Sequence, residues 1–552
     1  MSTEVREFIN AQKPGSTILD SALTQEKSAN SIRGRYRSKS YEIIAFLIVA
    51  SVAIYVHAKG MATYPGYVNE DEGTYLSQAW AVLSGSGSFH GLAPYSYWYD
   101  HPPFGWIQIA IMAFFTNAFH HGAIDTLKSG REYMLLYFVA DLPLLYFIAR
   151  KLRFGVLGSL FAILLIGISP LSVTYLRFVF LDSIAITWLL ITYAILLSNK
   201  RPLLKMFIAG LTFGLTILTK ETFALALPGL LIQIWYKSSG RTRKYNVTAF
   251  LTTSFAAGSV YLLYAALRGE LLAGPNHNSI EESVLWQLFQ RPSNGSIFDP
   301  STNKYQSLYA QYALDPLLIK VGLVGGIICL FYRHLRPLSI TLLIGIITMI
   351  RPGGYVPQMY VEEYIPILVL TTVGGIVYFT RLVSVGFNPA RTEVNGIPRS
   401  KILFQVTLAI VIFSSFIYFD LPNWLARDRA AMYQNDVAAQ LQAERWIIKN
   451  IPRSAPLLVD DYIWLDLVLN GFPSTKVVWV WKLGYDPSVN KLYPQGWKNF
   501  DYLISTPMTR LANISRGLPY RVGRYQLPFT QSVVIKTFGQ GVNIIQVRKI
   551  IP

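Results

Sequence analysis

The chain has 552 residues, 52% of them hydrophobic and only 14% charged, with a formal net charge of +18. A soluble protein carries about 25% charged residues, so the composition excludes an ordinary soluble globule and points to apolar runs that cross a bilayer core of roughly 30 Å. The positive balance does not argue for nucleic acid, because Lys and Arg gather in short clusters between apolar runs, where they orient membrane helices.

Residues 1–40 are polar and end on Arg33, Arg35, Arg37 and Lys39. No cleavable leader is read there, so the first apolar run is expected to stay as an anchor. About eleven transmembrane helices are expected, near 42–60, 131–150, 154–176, 181–198, 203–220, 222–237, 246–267, 314–333, 336–351, 361–380 and 402–420. Basic clusters at Arg33 to Lys39, Arg150-Lys151-Arg153, Lys200-Arg201, Lys237 to Lys244, Arg333 with Arg336, and Arg381 to Lys401 then all fall on the cytoplasmic side. That places the N-terminus inside and everything after residue 421 outside, in a plasma (inner) membrane. The apolar stretch Phe104 to Phe119 is short for a crossing and breaks this parity, so it is expected to be a juxtamembrane or re-entrant helix on the outer side.

Three regions result: a cytoplasmic segment 1–40, a membrane domain 41–420 with a long outer loop 61–130 rich in Tyr, Trp and Gly, and a soluble extracytoplasmic α/β domain 421–552. In the last, 436–451 reads as a helix and PLLVDDYIWLDLVLNG as strand, turn and helix. KVVWVWKL and FDYLIST read as strands, and SVVIKTF-GQG-VNIIQVRK as a terminal hairpin. Cys329, the only cysteine, lies in an apolar run, which excludes an intrachain disulfide and a cysteine metal site.

Charges at a membrane edge are costly and therefore informative. Five sets fall on the outer side. Asn69-Glu70-Asp71-Glu72 opens a short amphipathic run; one acid would cap a helix, and three ask for more. In Asp100-His101-Pro102-Pro103, the prolines start a helix, and Asp100 and His101 are either a cap with an incidental histidine or ligands of a metal or phosphate. Arg177 and Asp182 flank the next outer turn, either pairing with each other or binding phosphate through the guanidinium, whose geometry matches it. Lys220-Glu221 occupies another tip, where an ion pair is the plain alternative. Last come Arg351, which snorkelling also explains, then Tyr360 and Glu362-Glu363 before Tyr364. Together these five loops place acids and bases at one level, as a site for an anionic lipid headgroup and a second substrate requires. No Gly-rich nucleotide loop follows a strand.

The arrangement resembles the GT-C superfamily of polyprenyl-phosphate-sugar glycosyltransferases, in particular the family of protein O-mannosyltransferases and lipid A aminoarabinose transferases (glycosyltransferase family 39). Asp71-Glu72-Gly73-Thr74-Tyr75 is similar to the family's acidic pair opening the first outer loop. Asp100-His101-Pro102-Pro103-Phe104-Gly105-Trp106 is similar to its Pro-Pro helix start, Arg177…Leu181-Asp182 to its Arg…Leu-Asp element, and Leu218-Thr219-Lys220 to its Leu-Thr-Lys turn. Tyr364-Ile365-Pro366-Ile367-Leu368 resembles the start of a later helix. The likeness covers roughly 40–380. Glu362-Glu363 departs from it, standing where basic or neutral residues are expected, and the tail lacks the β-trefoil repeats of eukaryotic relatives.

The resemblance implies a polyprenyl-phosphate-linked sugar donor, a lipid, glycan or protein acceptor, membrane lipids as surroundings, and inversion at the anomeric carbon. It implies Asp71 as general base beside Glu72, with Arg177, Asp182, Lys220, Arg351 and Tyr360 on the substrate and its phosphate. No cofactor is required by it; a divalent metal ion on Asp100 and His101 stays open. The alternatives are a polytopic lipid or sugar transporter or flippase, which places its charges near the midplane, and a non-catalytic membrane scaffold.

Overall fold

The computed structural model describes residues 40–66, 71–85, 92, 94–97, 99–198, 202–274, 277–291, 293–351, 355–356, 358–385, 407–408, 411, 414–416, 418–483, 486–514 and 529–551. Asn69 and Glu70, the basic run after Val385 and most of the expected span 402–420 lie outside the described residues. Residues 1–52 and 53–552 form two units. Of the first, Ser40–Val52 is described, the opening of an apolar helix.

Four helices are long and apolar enough to cross a membrane: Ser40–Ala58, Thr126–Lys151, Arg243–Leu267 and Met359–Val383. Asn303–Leu314 and Pro316–Leu330 meet the same test as a pair but bend by 98°. Phe104–Thr116, Gly155–Ile168, Leu181–Leu197, Leu203–Thr219 and Arg336–Ile350 are apolar but shorter. The breaks have local causes. Pro170 ends the expected run 154–176, since proline cannot donate to a helix and disfavours helical backbone just before it; Ser169 is extended and caps a new turn, Pro170–Tyr175. After Thr219 the chain extends at Lys220, makes a tight turn over Glu221–Ala226 and restarts at Leu227, with Pro in its first turn. The Phe104–Thr116 helix has 13 residues and stops at Asn117 in left-handed backbone; at 1.5 Å per residue it spans about 20 Å, short of a crossing.

Helices approach closely where small residues allow it. At Gly325 an added Cβ would lie 2.2 Å from Thr371 O, so Pro316–Leu330 and Ile365–Val385 pack with backbones nearly touching, as small residues permit between membrane helices.

The tail carries a five-stranded sheet of β1 Leu457–Val459, β2 Val477–Trp479, β3 Tyr502–Ser505, β4 Ser532–Phe538 and β5 Ile545–Ile550, in the order β2-β1-β3-β5-β4. β1 runs parallel to β2 and β3, while β5 is antiparallel to β3 and β4. Helices Ala438–Asn450 and Asp461–Leu469 complete the α/β unit, in the element order expected from sequence. β1 and β2 are wholly buried, the pattern of parallel strands covered on both faces. β4 is the edge, with Val533, Val534 and Ile535 exposed and a register shift between Val534 and Lys536. The loop helix Asp71–Ser84 packs against both Phe104–Thr116 and the tail helix Asp461–Leu469.

Candidate active site

Lys220 is the hub. The chain break after Thr219 gives it extended backbone (φ −151°, ψ 114°), and it is 2% exposed. Its Nζ lies 3.0 Å from His101 Nε2 and 3.5 Å from Asp182 Oδ2. The carboxyl groups of Glu221, Asp71 and Glu363 surround it. Asp182 stands in the first turn of Leu181–Leu197, where the helix dipole favours an anion. It is 1% exposed, and among the described residues neither carboxylate oxygen has a hydrogen-bond partner.

His101 bridges Lys220 to Glu221, its Nδ1 lying 3.0 Å from both Glu221 oxygens. With the ammonium donating to Nε2, the neutral imidazole carries its proton on Nδ1 and donates to the carboxylate. Burial opposes an imidazolium here most strongly, but the Glu221 charge and hydrogen bond together with the Asp100 charge outweigh it, and the pKa is raised above 6.5. Burial also works against the Glu221 anion, but the charge and hydrogen bond of His101 together with the Lys220 charge more than offset it, leaving that carboxyl below its usual 4.5. Asp100 Oδ1 accepts the His101 backbone N–H at 2.9 Å. The hydroxyls of Tyr97 and Tyr261 both donate to the His101 carbonyl, at 3.0 and 3.1 Å. Tyr99 just upstream holds φ 46°, uncommon for a bulky residue, and its hydroxyl bonds Glu270.

Asp71 opens the loop helix, and one turn on Tyr75 is buried with its ring 6.1 Å from that of His101. Burial, then the charges of Asp71, Asp100, Asp182 and Glu221, hold the Tyr75 phenol far above its usual pKa, so it stays a neutral donor. Below this layer Ser183 donates to Glu362 and Thr222 to Glu363. Tyr360 senses the charges of Glu363, Lys220, Glu221 and Arg291.

Other expected residues keep different company. Glu72 is fully buried and takes a two-pronged contact from Arg131, Nε to Oε1 at 3.0 Å and NH2 to Oε2 at 2.9 Å, plus the Val179 N–H at 2.9 Å. Arg131 NH1 donates to the carbonyls of Met61 and Pro65. Arg177 neither pairs with Asp182 nor joins Lys220: its NH1 and NH2 donate to the carbonyls of Tyr64, Ala431, Val56 and Lys59 at 2.7–3.3 Å. Carbonyls at a helix C-terminus attract cations, and Val56 and Lys59 lie at the end of Ser40–Ala58. Arg351 is exposed, and its carbonyl accepts from Lys304 Nζ at 3.3 Å.

Sequence reasoning passed over Arg131, Tyr75 and Arg291. A lone Arg at the start of an apolar run was the signal for the first; Arg291, 3.5 Å over the Tyr355 ring, carried none. The tail supplies two more. Asp461 bonds Thr74 and Trp481. Lys482 is buried 3.4 Å from Asp486, and its ammonium feels Asp100 and Asp461; burial foremost lowers its pKa to about 8.

The donor set at Asp100 and His101 does not fit a metal ion. Both imidazole nitrogens have side-chain partners and the Asp100 carboxylate holds its own loop. Among the described residues no group of three His, Cys, Asp or Glu side chains has metal-binding geometry.

No protein-family model matches the sequence, and no curated protein matches it. In structure the chain is similar to ArnT from Cupriavidus metallidurans in the apo state, at 16% identity and a TM-score of 0.56 over 93% of this chain and 98% of that one. The same protein bound to undecaprenyl phosphate gives 16%, 0.55, 92% and 97%. The Archaeoglobus fulgidus oligosaccharyltransferase in its apo form gives 11%, 0.55, 92% and 75%. At these identities the likeness is one of fold: the chain shares the fold of these two proteins, helical with a small C-terminal sheet domain, and its apolar helices make it a multi-pass membrane protein.

Proposed function

We propose that the chain is a glycosyltransferase that moves a sugar from a polyprenyl-phosphate donor to an acceptor hydroxyl at the outer face of the membrane, with inversion at the anomeric carbon. One observation carries the reading. Lys220 lies within 3.0 Å of His101 and 3.5 Å of Asp182, in the field of Asp71, Glu221 and Glu363, a charged cluster drawn from five separated stretches of chain. The lipid donor is supported by the neighbours in fold. One ArnT structure is bound to undecaprenyl phosphate, and one Archaeoglobus fulgidus oligosaccharyltransferase structure is a complex with an inhibitory peptide and a dolichol-phosphate.

In the reaction Asp71 takes the proton of the acceptor hydroxyl as its oxygen attacks the anomeric carbon from the face opposite the phosphate. The bond from that carbon to the phosphate oxygen breaks, and its electron pair leaves on the lipid phosphate. General-base assistance of this kind contributes typically 10²–10⁴-fold. Lys220 faces the charge developing on the phosphate, where a fixed donor is commonly worth about 3 kcal/mol. Asp182 and His101 hold the ammonium in place, and Tyr360 stands on the phosphate side. Glu72 and Arg177 serve as scaffold, since Arg131 holds the Glu72 carboxylate and backbone carbonyls hold both terminal nitrogens of Arg177. No step runs through a metal.

The test is transfer from a polyprenyl-phosphate sugar by membranes carrying wild-type or Asp71→Asn protein. Wild-type turnover that survives the substitution removes Asp71 as base. Mass spectrometry of lipid-linked sugars that accumulate in a deletion strain identifies the donor.

A further inference from the structure

The loop helix that begins at Asp71 meets the tail backbone to backbone. A Cβ added at Gly73 would lie 2.2 Å from Tyr462 N and 2.3 Å from the Asp461 carbonyl carbon, so only glycine lets the two helices seat this closely. The next residue, Thr74, is buried and donates its hydroxyl to Asp461 Oδ2. Trp481 Nε1 donates to the same carboxylate, 2.9 Å from Oδ1 and 3.1 Å from Oδ2. Asp461 itself is fully buried. Trp481 is backed in turn by Trp479, ring centroids 5.9 Å apart and nearly parallel, and Trp479 by Tyr95 of the loop at 4.4 Å. The helix is therefore held on two sides within one turn. Gly73 and Thr74 sit on the tail, while Tyr75, four residues from Asp71 and hence on its side of the helix, faces His101.

We infer that Asp461 is a positioning residue for the transfer reaction: through the Thr74 hydroxyl and the Gly73 seat, the tail fixes the first turn of the loop helix and with it the direction of the Asp71 carboxylate. It rests on Asp71 being the base. A base works only within hydrogen-bond reach of the proton it takes, and a misplacement of about 1 Å costs about 10²-fold. The tail then belongs to the frame of the catalytic centre and is more than a module for capturing acceptor.

The experiment uses full-length protein in membranes. Thr74→Val removes the hydroxyl at nearly constant shape, and Thr74→Ser restores it. Thr74→Val is expected to lower kcat about 10- to 100-fold with donor KM within about twofold, and Thr74→Ser to stay within about threefold of wild type. Asp461→Asn, which gives up one acceptor, is expected to follow Thr74→Val. Wild-type kcat in both Thr74→Val and Asp461→Asn overturns the inference, as does an equal loss in Val and Ser variants or a loss confined to KM. Should Thr74→Val fail to fold, Trp481→Phe removes the other donor to Asp461 and is read by the same kcat and KM split. If the wild-type chain transfers no sugar at all, the transferase reading fails separately. Positioning is then read from amide hydrogen exchange over residues 71–77, faster in Thr74→Val than in wild type; equal exchange overturns it.

Discussion

Asp71 and Glu72 are neighbours in the chain and end in opposite surroundings. Glu72 and the two arginines near it form a densely bonded network, in which Arg177 Nε alone lacks a hydrogen-bond partner among the described residues. Arg131 spends its guanidinium on Glu72 and two carbonyls, Arg177 spends four N–H bonds on carbonyls, and the Val179 amide closes the set. The Lys220 cluster is built otherwise: one ammonium serves several carboxylates, and the Asp182 oxygens rely on it at 3.5 Å without a hydrogen bond of their own. Desolvating a charge costs several kcal/mol, and excellent geometry with full hydrogen bonding is what repays it. The Glu72 network comes close to that condition, its bonds being spent within the protein except at Arg177 Nε. The Lys220 cluster meets it less fully, because the Asp182 oxygens have no hydrogen bond among the described residues and depend on the ammonium charge alone.

The sharpest way to break this contrast is to exchange charge for amide at each neighbour. Asp71→Asn is expected to reduce kcat by up to about 10⁴-fold with unfolding in detergent unchanged. Glu72→Gln is expected to do the reverse, costing about 3–5 kcal/mol of stability because it leaves the buried Arg131 without its partner; thermal unfolding reads it. A Glu72→Gln protein as stable as wild type would dissolve the distinction. Lys220→Met is expected to lose about 10²-fold in kcat, matching the 3 kcal/mol of one electrostatic donor. Arg177→Lys, which cannot span four carbonyls, is expected to lower folded yield by an amount equivalent to about 1.5–3 kcal/mol per lost bond, with donor KM unchanged among the molecules that fold.

The smallest effect expected is in pH. His101 is raised in the folded chain, so its contribution is complete below its usual 6.5 and is lost as pH climbs through the raised value. Glu221 is lowered, so its contribution is complete above 4.5 and is lost as pH falls through the lowered value. The pair therefore supports the fold most between about pH 4.5 and 6.5. The gain is modest because the Glu221 side chain is 43% exposed and solvent screens it. His101→Gln is expected to flatten stability across that window; an unchanged profile separates the pair from the fold.

Much of the architecture was legible because it is periodic. Apolar runs marked the helices, alternation and Gly-Gln-Gly marked the terminal hairpin, and basic clusters marked the breaks. Span lengths were less so, since Pro170 cuts the expected run 154–176 and the turn at Glu221 is longer than expected, delaying the next helix to Leu227. In the site, Asp71, His101, Asp182 and Lys220 were all singled out, each being a charge at the end of an apolar run, and the structure draws them together. Arg177 carries the same signature, yet its partners are main-chain carbonyls, which leave no mark in a sequence. Asp461 was hidden for a related reason: its meaning lies in a contact with Thr74, 387 residues away, and within its own segment it reads as the start of a helix.

The exposed rim of the tail sheet has a practical side. Among the described residues β4 pairs on one side only and carries exposed Val533, Val534 and Ile535, a template on which a strand of another molecule can add. The irregular step before Lys536 and that residue's charge are the guard, twisting the rim and repelling a like copy. Replacing Lys536 with an apolar residue would turn this rim of the tail sheet into an adhesive, and preparations of the protein would clump before any membrane helix unfolded.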